Sequence, residues 1–113
     1  MHELSIAKSL MEIVKRELKK SGAKRLKWVK IEVGKMTAVE PESLRFCFDA
    51  CVKDTPMEGA RLKIIEVPVT GRCARCSMEF RMDDLLSPCP GCNGSSIVRL
   101  TGTELKVVSI SAA

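Results

Sequence analysis

Histidine occurs once in this chain, at position 2, and tyrosine not at all. A lone terminal imidazole cannot complete a Ser/His/Asp or Cys/His set, so no catalytic triad can be assembled. With no tyrosine, one tryptophan and three phenylalanines, stacking platforms for single-stranded nucleic acid are scarce. No apolar run is long enough to cross a bilayer, and no membrane partner is expected. The N-terminus lacks the basic stretch and apolar segment of a secretion signal. A reducing cytoplasmic location is therefore expected, where the six cysteines serve as ligands or thiols rather than disulfides. Gly34-Lys35-Met36-Thr37 invites a phosphate-loop reading, but Val29 stands where the loop needs its first glycine and Met36 where it needs Ser or Thr. The match fails, and the chain is not expected to be an enzyme.

What is present fits one modest domain, or a domain with a small insert, in 113 residues. An apolar content of 45% supports a core, and 29% charged residues fit a solvated surface. The formal charge of +5 raises the question of nucleic acid. Lys15, Arg16, Lys19, Lys20, Lys24, Arg25, Lys27 and Lys30 make a basic stripe, but cations also gather at helix C-termini. A solvated face, or an acidic protein partner, is favoured over nucleic acid.

Leu4, Ala7, Leu10, Met11, Val14 and Leu18 recur at three- and four-residue spacing, predicting an amphipathic helix that ends at Gly22. Val29, Ile31 and Val33 then alternate with Lys30 and Glu32, the pattern of a strand. Glu40-Pro41-Glu42 reads as a helix start, with Leu44, Cys47, Phe48, Cys51 and Val52 on its apolar face. Asp54-Thr55-Pro56 and Gly59 break it. Leu62–Val69 and Leu105–Ile110 are strand-like, and each shifts its apolar phase by one residue, which suggests burial on both faces or a bulge. The expected architecture is α+β: two helices packed on a small three-stranded sheet, with an inserted four-cysteine zinc-ribbon-like module. Residues 1–69 plus 104–113 form the α+β domain, and residues 70–103 the module, placed between two adjacent antiparallel strands.

Cys73-Ala74-Arg75-Cys76 and Cys89-Pro90-Gly91-Cys92 are two C-x2-C pairs separated by 12 residues. A tight turn lets each pair place two thiolates on one cation, and Gly91 allows the backbone to fold back. Together they make a closed four-thiolate set, the usual structural zinc arrangement. A single redox-active iron is the alternative occupant, and a redox dithiol a weaker one. Four thiolates on a divalent ion leave a charge of about −2, which Arg72, Arg75, Arg81 and Arg99 stand near enough in sequence to offset. The loop between the pairs offers only Phe80, Met82, Leu85 and Leu86 for a core, so the metal is expected to hold the module together. A closed set has no open coordination position and is not catalytic.

At the other end, the α-amine of Met1, the next backbone nitrogen and the His2 imidazole can close two small fused chelate rings. Nitrogen-rich tetragonal sets of this kind favour nickel(II) or copper(II) over zinc. Taken alone, the tripeptide reads better as a solvated histidine on a loose terminus. Cys47 and Cys51, four apart, are better core residues than ligands.

The combination of Met1-His2-Glu3-Leu4-Ser5-Ile6-Ala7 with Cys73, Cys76, Cys89 and Cys92 closely resembles the HypA/HybF family of hydrogenase-maturation nickel metallochaperones. The resemblance covers nearly the whole chain, including the order helix, strand, helix, strand, zinc module, strand. It implies delivery of nickel(II) to a [NiFe]-hydrogenase large-subunit precursor, with a GTP-binding HypB partner. It also implies a nickel site of Met1, His2 and Glu3, the last as the weaker member, and zinc on Cys73, Cys76, Cys89 and Cys92. The competing class is a zinc-ribbon nucleic-acid or transcription-complex module, which explains the cysteines and the charge but not the N-terminus.

Overall fold

The first helix, α1, runs Glu3–Ser21. Ile6, Ala7, Leu10, Met11 and Val14 fall on one stripe of it and are all buried. Leu4 belongs to the expected apolar face but lies a turn ahead of that stripe and is half-exposed, and Ile6 is the first inward residue instead. Gly22 stops the helix with a φ of 74°, a left-handed conformation that a side chain would strain. These coordinates come from a computed structural model describing residues 3–83 and 86–113.

Strand β1, Leu26–Gly34, buries Val29, Ile31 and Val33 and turns Trp28, Lys30 and Glu32 the other way, half-exposed. Helix α2, Pro41–Val52, starts as its sequence suggests. The Glu40 carboxylate accepts from the backbone N–H groups of Glu42 at 3.0 Å and Ser43 at 3.2 Å, and Pro41 occupies the first turn, where a missing N–H costs nothing. Leu44, Phe48 and Val52 are buried, whereas Cys47 and Cys51 on the shoulder of the stripe are half-buried. The two helices pack against each other and, with the buried side of the sheet, enclose the main core.

Strands β2, Arg61–Val67, and β6, Leu105–Ala112, complete a three-stranded sheet in the order β2-β1-β6. The two strands expected to be neighbours are thus separated by β1. The physical reason is visible in their burial. β1 carries the fully buried Val29 and Ile31 and takes the centre, while the more exposed β2 and β6 take the edges. Hydrogen bonds from Ala113 N–H to the Arg25 carbonyl at 2.9 Å and from Gly34 N–H to the Glu104 carbonyl at 2.7 Å make β1 and β6 antiparallel. The phase shifts in β2 and β6 do not signal burial on both faces, because Ile65 is 41% exposed and Val108 48%.

Three further strands lie between β2 and β6: β3, Thr70–Cys73, β4, Glu79–Arg81, and β5, Ile97–Thr101. They form a second antiparallel sheet, β4-β3-β5, with a register irregularity at Thr70/Gly71. The chain divides into two compact units, Met1–Glu32 with Ala38–Ile65 and Lys106–Ala113, and Val33–Thr37 with Glu66–Leu105. No helix among the described residues is long and apolar enough to cross a membrane.

Gly34 has a structural duty in the second unit that has nothing to do with phosphate. A Cβ built there would lie 2.1 Å from the backbone carbonyl of Gly102. Backbone cannot swing aside as a side-chain tip can, so Gly34→Ala is expected to destabilise by about 3 kcal/mol or more, beyond ordinary overpacking. Urea unfolding monitored at each unit would measure it, and a loss below about 1 kcal/mol would contradict the close approach.

Candidate metal centre

Cys73 closes β3, and the chain turns at once through Ala74-Arg75-Cys76. Ser77 N–H donates to the Cys73 carbonyl at 2.8 Å, and Cys73 N–H to the Met78 carbonyl at 2.9 Å. The second knuckle repeats both bonds: Asn93 N–H to the Cys89 carbonyl at 2.8 Å, and Cys89 N–H to the Gly94 carbonyl at 2.9 Å. Ser77 and Asn93 each take a left-handed conformation, with φ of 66° and 61°. Asparagine tolerates that region and is a readable signal, but serine carries no such mark.

Each knuckle also aims a backbone donor at its first sulfur: Arg75 N–H to Cys73 Sγ and Gly91 N–H to Cys89 Sγ, both at 3.4 Å. The four Sγ atoms lie within 4.8 Å of one another, and the Cys73–Cys92 and Cys76–Cys89 pairs are 3.5 Å apart. A tetrahedral zinc with bonds of about 2.3 Å spaces its sulfurs by ~3.8 Å, so the set needs little adjustment to take one ion. Cys73 and Cys89 are buried, Cys92 is half-buried, and Cys76 is exposed. Among the described residues no other His, Cys, Asp or Glu group is gathered closely enough to hold an ion.

The thiols are tuned unequally. N–H groups of Cys76 and Arg75 bring Cys73 down from 9.0 to about 6, against the opposing effect of desolvation. For Cys76, the Met78 N–H pulls downward, but the sulfurs of Cys89, Cys92 and Cys73 and desolvation push it up to about 12. Cys89 is lowered, chiefly by the Cys92 N–H. Cys73 is thus favoured as a thiolate near neutral pH, and a cation entering the set displaces the proton that Cys76 retains.

Two glycines line the sulfurs by clearance. A Cβ at Gly91 would meet Met78 Sδ at 2.8 Å, and one at Gly94 would meet Cys92 Sγ at 3.2 Å. Gly91 has no positive φ, so its role is space rather than the backbone freedom expected of it. Gly94 was not singled out by the cysteine spacing, although it stands tightest against a ligand sulfur. Of the arginines expected to offset the thiolate charge, Arg75 sits in the first knuckle; Arg72, Arg81 and Arg99 lie on β3, β4 and β5 with exposed side chains.

Met1 and His2, assigned to nickel from the sequence, lie outside the described residues, as does Leu85. Glu3 is described and half-buried. Its carboxylate accepts a long contact of 3.5 Å from the Glu40 N–H, so it bridges the beginnings of α1 and α2. Cys47 and Cys51 do not join the four-sulfur set.

The family described as "Hydrogenase/urease nickel incorporation, metallochaperone, hypA" matches residues 1–112. The hydrogenase maturation factor HypA of Geotalea daltonii is 43% identical over 111 residues, covering 98% of both chains. Its counterpart from Geotalea uraniireducens is 41% identical over 107 residues, 95% of this chain and 94% of that one. The fold is similar to that of the nickel metallochaperone HypA from Helicobacter pylori, with a TM-score of 0.67 at 22% identity over 99% of this chain and 97% of that one. A second HypA solution structure superposes with a TM-score of 0.75 at 23% identity, over 100% of this chain and 97% of that one.

Proposed function

The chain belongs to the HypA family of nickel-incorporation metallochaperones of hydrogenase maturation, and on that premise we propose that it carries nickel(II) on its own N-terminus. The ion is cargo, held by the Met1 amine, the adjacent backbone nitrogen and the His2 imidazole. Glu3 orients the set, a role supported by its carboxylate being turned towards the Glu40 N–H. The recipient is a [NiFe]-hydrogenase large-subunit precursor in the cytoplasm, and a HypB-type GTPase supplies the nucleotide-driven step that this chain has no phosphate loop to perform. Residues 1–69 and 104–113 then serve as the nickel-handling domain, and residues 70–103 as a structural zinc module.

The family match over residues 1–112 carries this reading. The chemistry of the four sulfurs supports it: a tetrahedral thiolate cage retains zinc and offers no vacant position, so it suits a permanent support rather than a load to be surrendered. An exposed chelate with few protein donors suits surrender by ligand exchange. The protein performs no catalysis of its own in this scheme.

The test is transfer. Untagged, zinc-loaded protein charged with one nickel is mixed with precursor, GTPase and GTP, and nickel in the repurified precursor is counted. The wild type is expected to load the precursor and His2→Ala to leave it at the level of free nickel alone. Equal loading by both proteins would defeat the proposal.

A further inference from the structure

The phase shifts in β2 and β6 leave an aliphatic residue of each edge strand on the solvent side of the sheet. Ile65 and Val108 stand there 41% and 48% exposed, on the side to which β1 turns Trp28 and Lys30. Basic groups are interleaved with them. Lys63 Nζ lies 4.2 Å from the Trp28 ring centroid and Lys30 Nζ 5.7 Å, while Lys106 lies 3.4 Å from Glu32. That pairing engages the one acid β1 contributes to this side, so the face is apolar spots in a positive field.

We propose that the open face of the β2-β1-β6 sheet docks an acidic, aliphatic-bearing segment of a partner protein. Carboxylates would meet Lys30, Lys63 and Lys106, and aliphatic side chains would cover Ile65 and Val108. The same observations argue against other occupants. A single strand stacking its bases needs an open aromatic plane, and the single ring here already holds two ammonium groups against it. A second copy of the chain would bring these lysines against themselves. Charge complementarity therefore selects an acidic protein, and it steers encounter as well as binding. The inference is independent of where nickel sits.

The probe is a short acetylated peptide with Glu and Leu at helical spacing, titrated without nickel into 15N-labelled, untagged, zinc-loaded protein. The Trp28 indole N–H and the amides of Lys30, Ile65, Lys106 and Val108 should shift, less so in high salt. Peptides with Gln for Glu, or Ser for Leu, should bind about tenfold or more weakly. The double variants Lys63→Glu/Lys106→Glu and Ile65→Ser/Val108→Ser should each lose binding to a similar degree while keeping a dispersed spectrum, because all four positions are exposed. Undisturbed resonances on this face, or unchanged binding by either double variant, would overturn the proposal. So would stronger perturbation of the same resonances by oligothymidylate or phosphatidylglycerol vesicles, or dimerisation of the protein alone through this face.

Discussion

Nickel binding should collapse when the Met1 amine is blocked, whether by an N-terminal tag or by acetylation, and equally in His2→Ala. Each change removes one nitrogen from a chelate with few others. The loss should exceed the roughly 10–100-fold that a metal site suffers when even a supporting outer contact is removed. Zinc and fold should be untouched, since the buried stripe of α1 begins at Ile6 and the four sulfurs belong to the other compact unit. Protons give a second signature. Imidazole coordinates only when neutral, so affinity should weaken as pH falls through about 6.5, more steeply if a backbone amide is also deprotonated. Calorimetry and electronic absorption of the untagged protein beside its tagged form would measure both effects. Copper(II) should compete, because raw affinity favours it and cellular supply decides the occupant. Undiminished nickel affinity in the tagged protein would eliminate the chelate.

Removal of the cage metal, or Cys73→Ser or Cys89→Ser, should unfold β3–β5 of the second unit while leaving α1, α2 and their sheet in place. The magnitudes favour this outcome. Among the described residues, the buried aliphatic side chains of that unit are Val33, Val69 and Met82, worth about 1.5–3 kcal/mol each. Binding of a structural zinc contributes about 10–16 kcal/mol in small metal-held domains, more than those side chains together. Amide dispersion of β3–β5 should therefore vanish with a chelator, and acid should have the same effect as protons compete for the thiolates. Retained dispersion in the metal-free, reduced protein would show that its sheet stands unaided.

Much of this was legible in the residues, and the exceptions have physical causes. Ala7, Leu10, Met11 and Val14 announce α1 because a helix has a single period, and Glu40-Pro41 announces α2 because caps have few solutions. The C-x2-C pairs announce the sulfur set because two residues between ligands leave little choice of turn. Strand order is a different matter. Nothing local in Leu62–Val69 or Leu105–Ile110 says which neighbour each will take, and the phase-shifted Ile65 and Val108 suggested burial that the sheet does not provide. The backbone approach of Gly34 to Gly102 joins residues far apart in sequence and left no trace there. Ser77 adopts the same left-handed turn as Asn93 without the residue type that advertises it.

The unequal exposure of the four cysteines gives the cage a front and a back. Cys73 and Cys89 anchor it from inside, whereas Cys76 is exposed and Cys92 half-buried. A chelator, an oxidant or a rival thiophilic ion meets Cys76 and the half-buried Cys92 before it meets the inner pair. Resistance to such attack is therefore a matter of rate as much as of affinity, set by the outer cysteines.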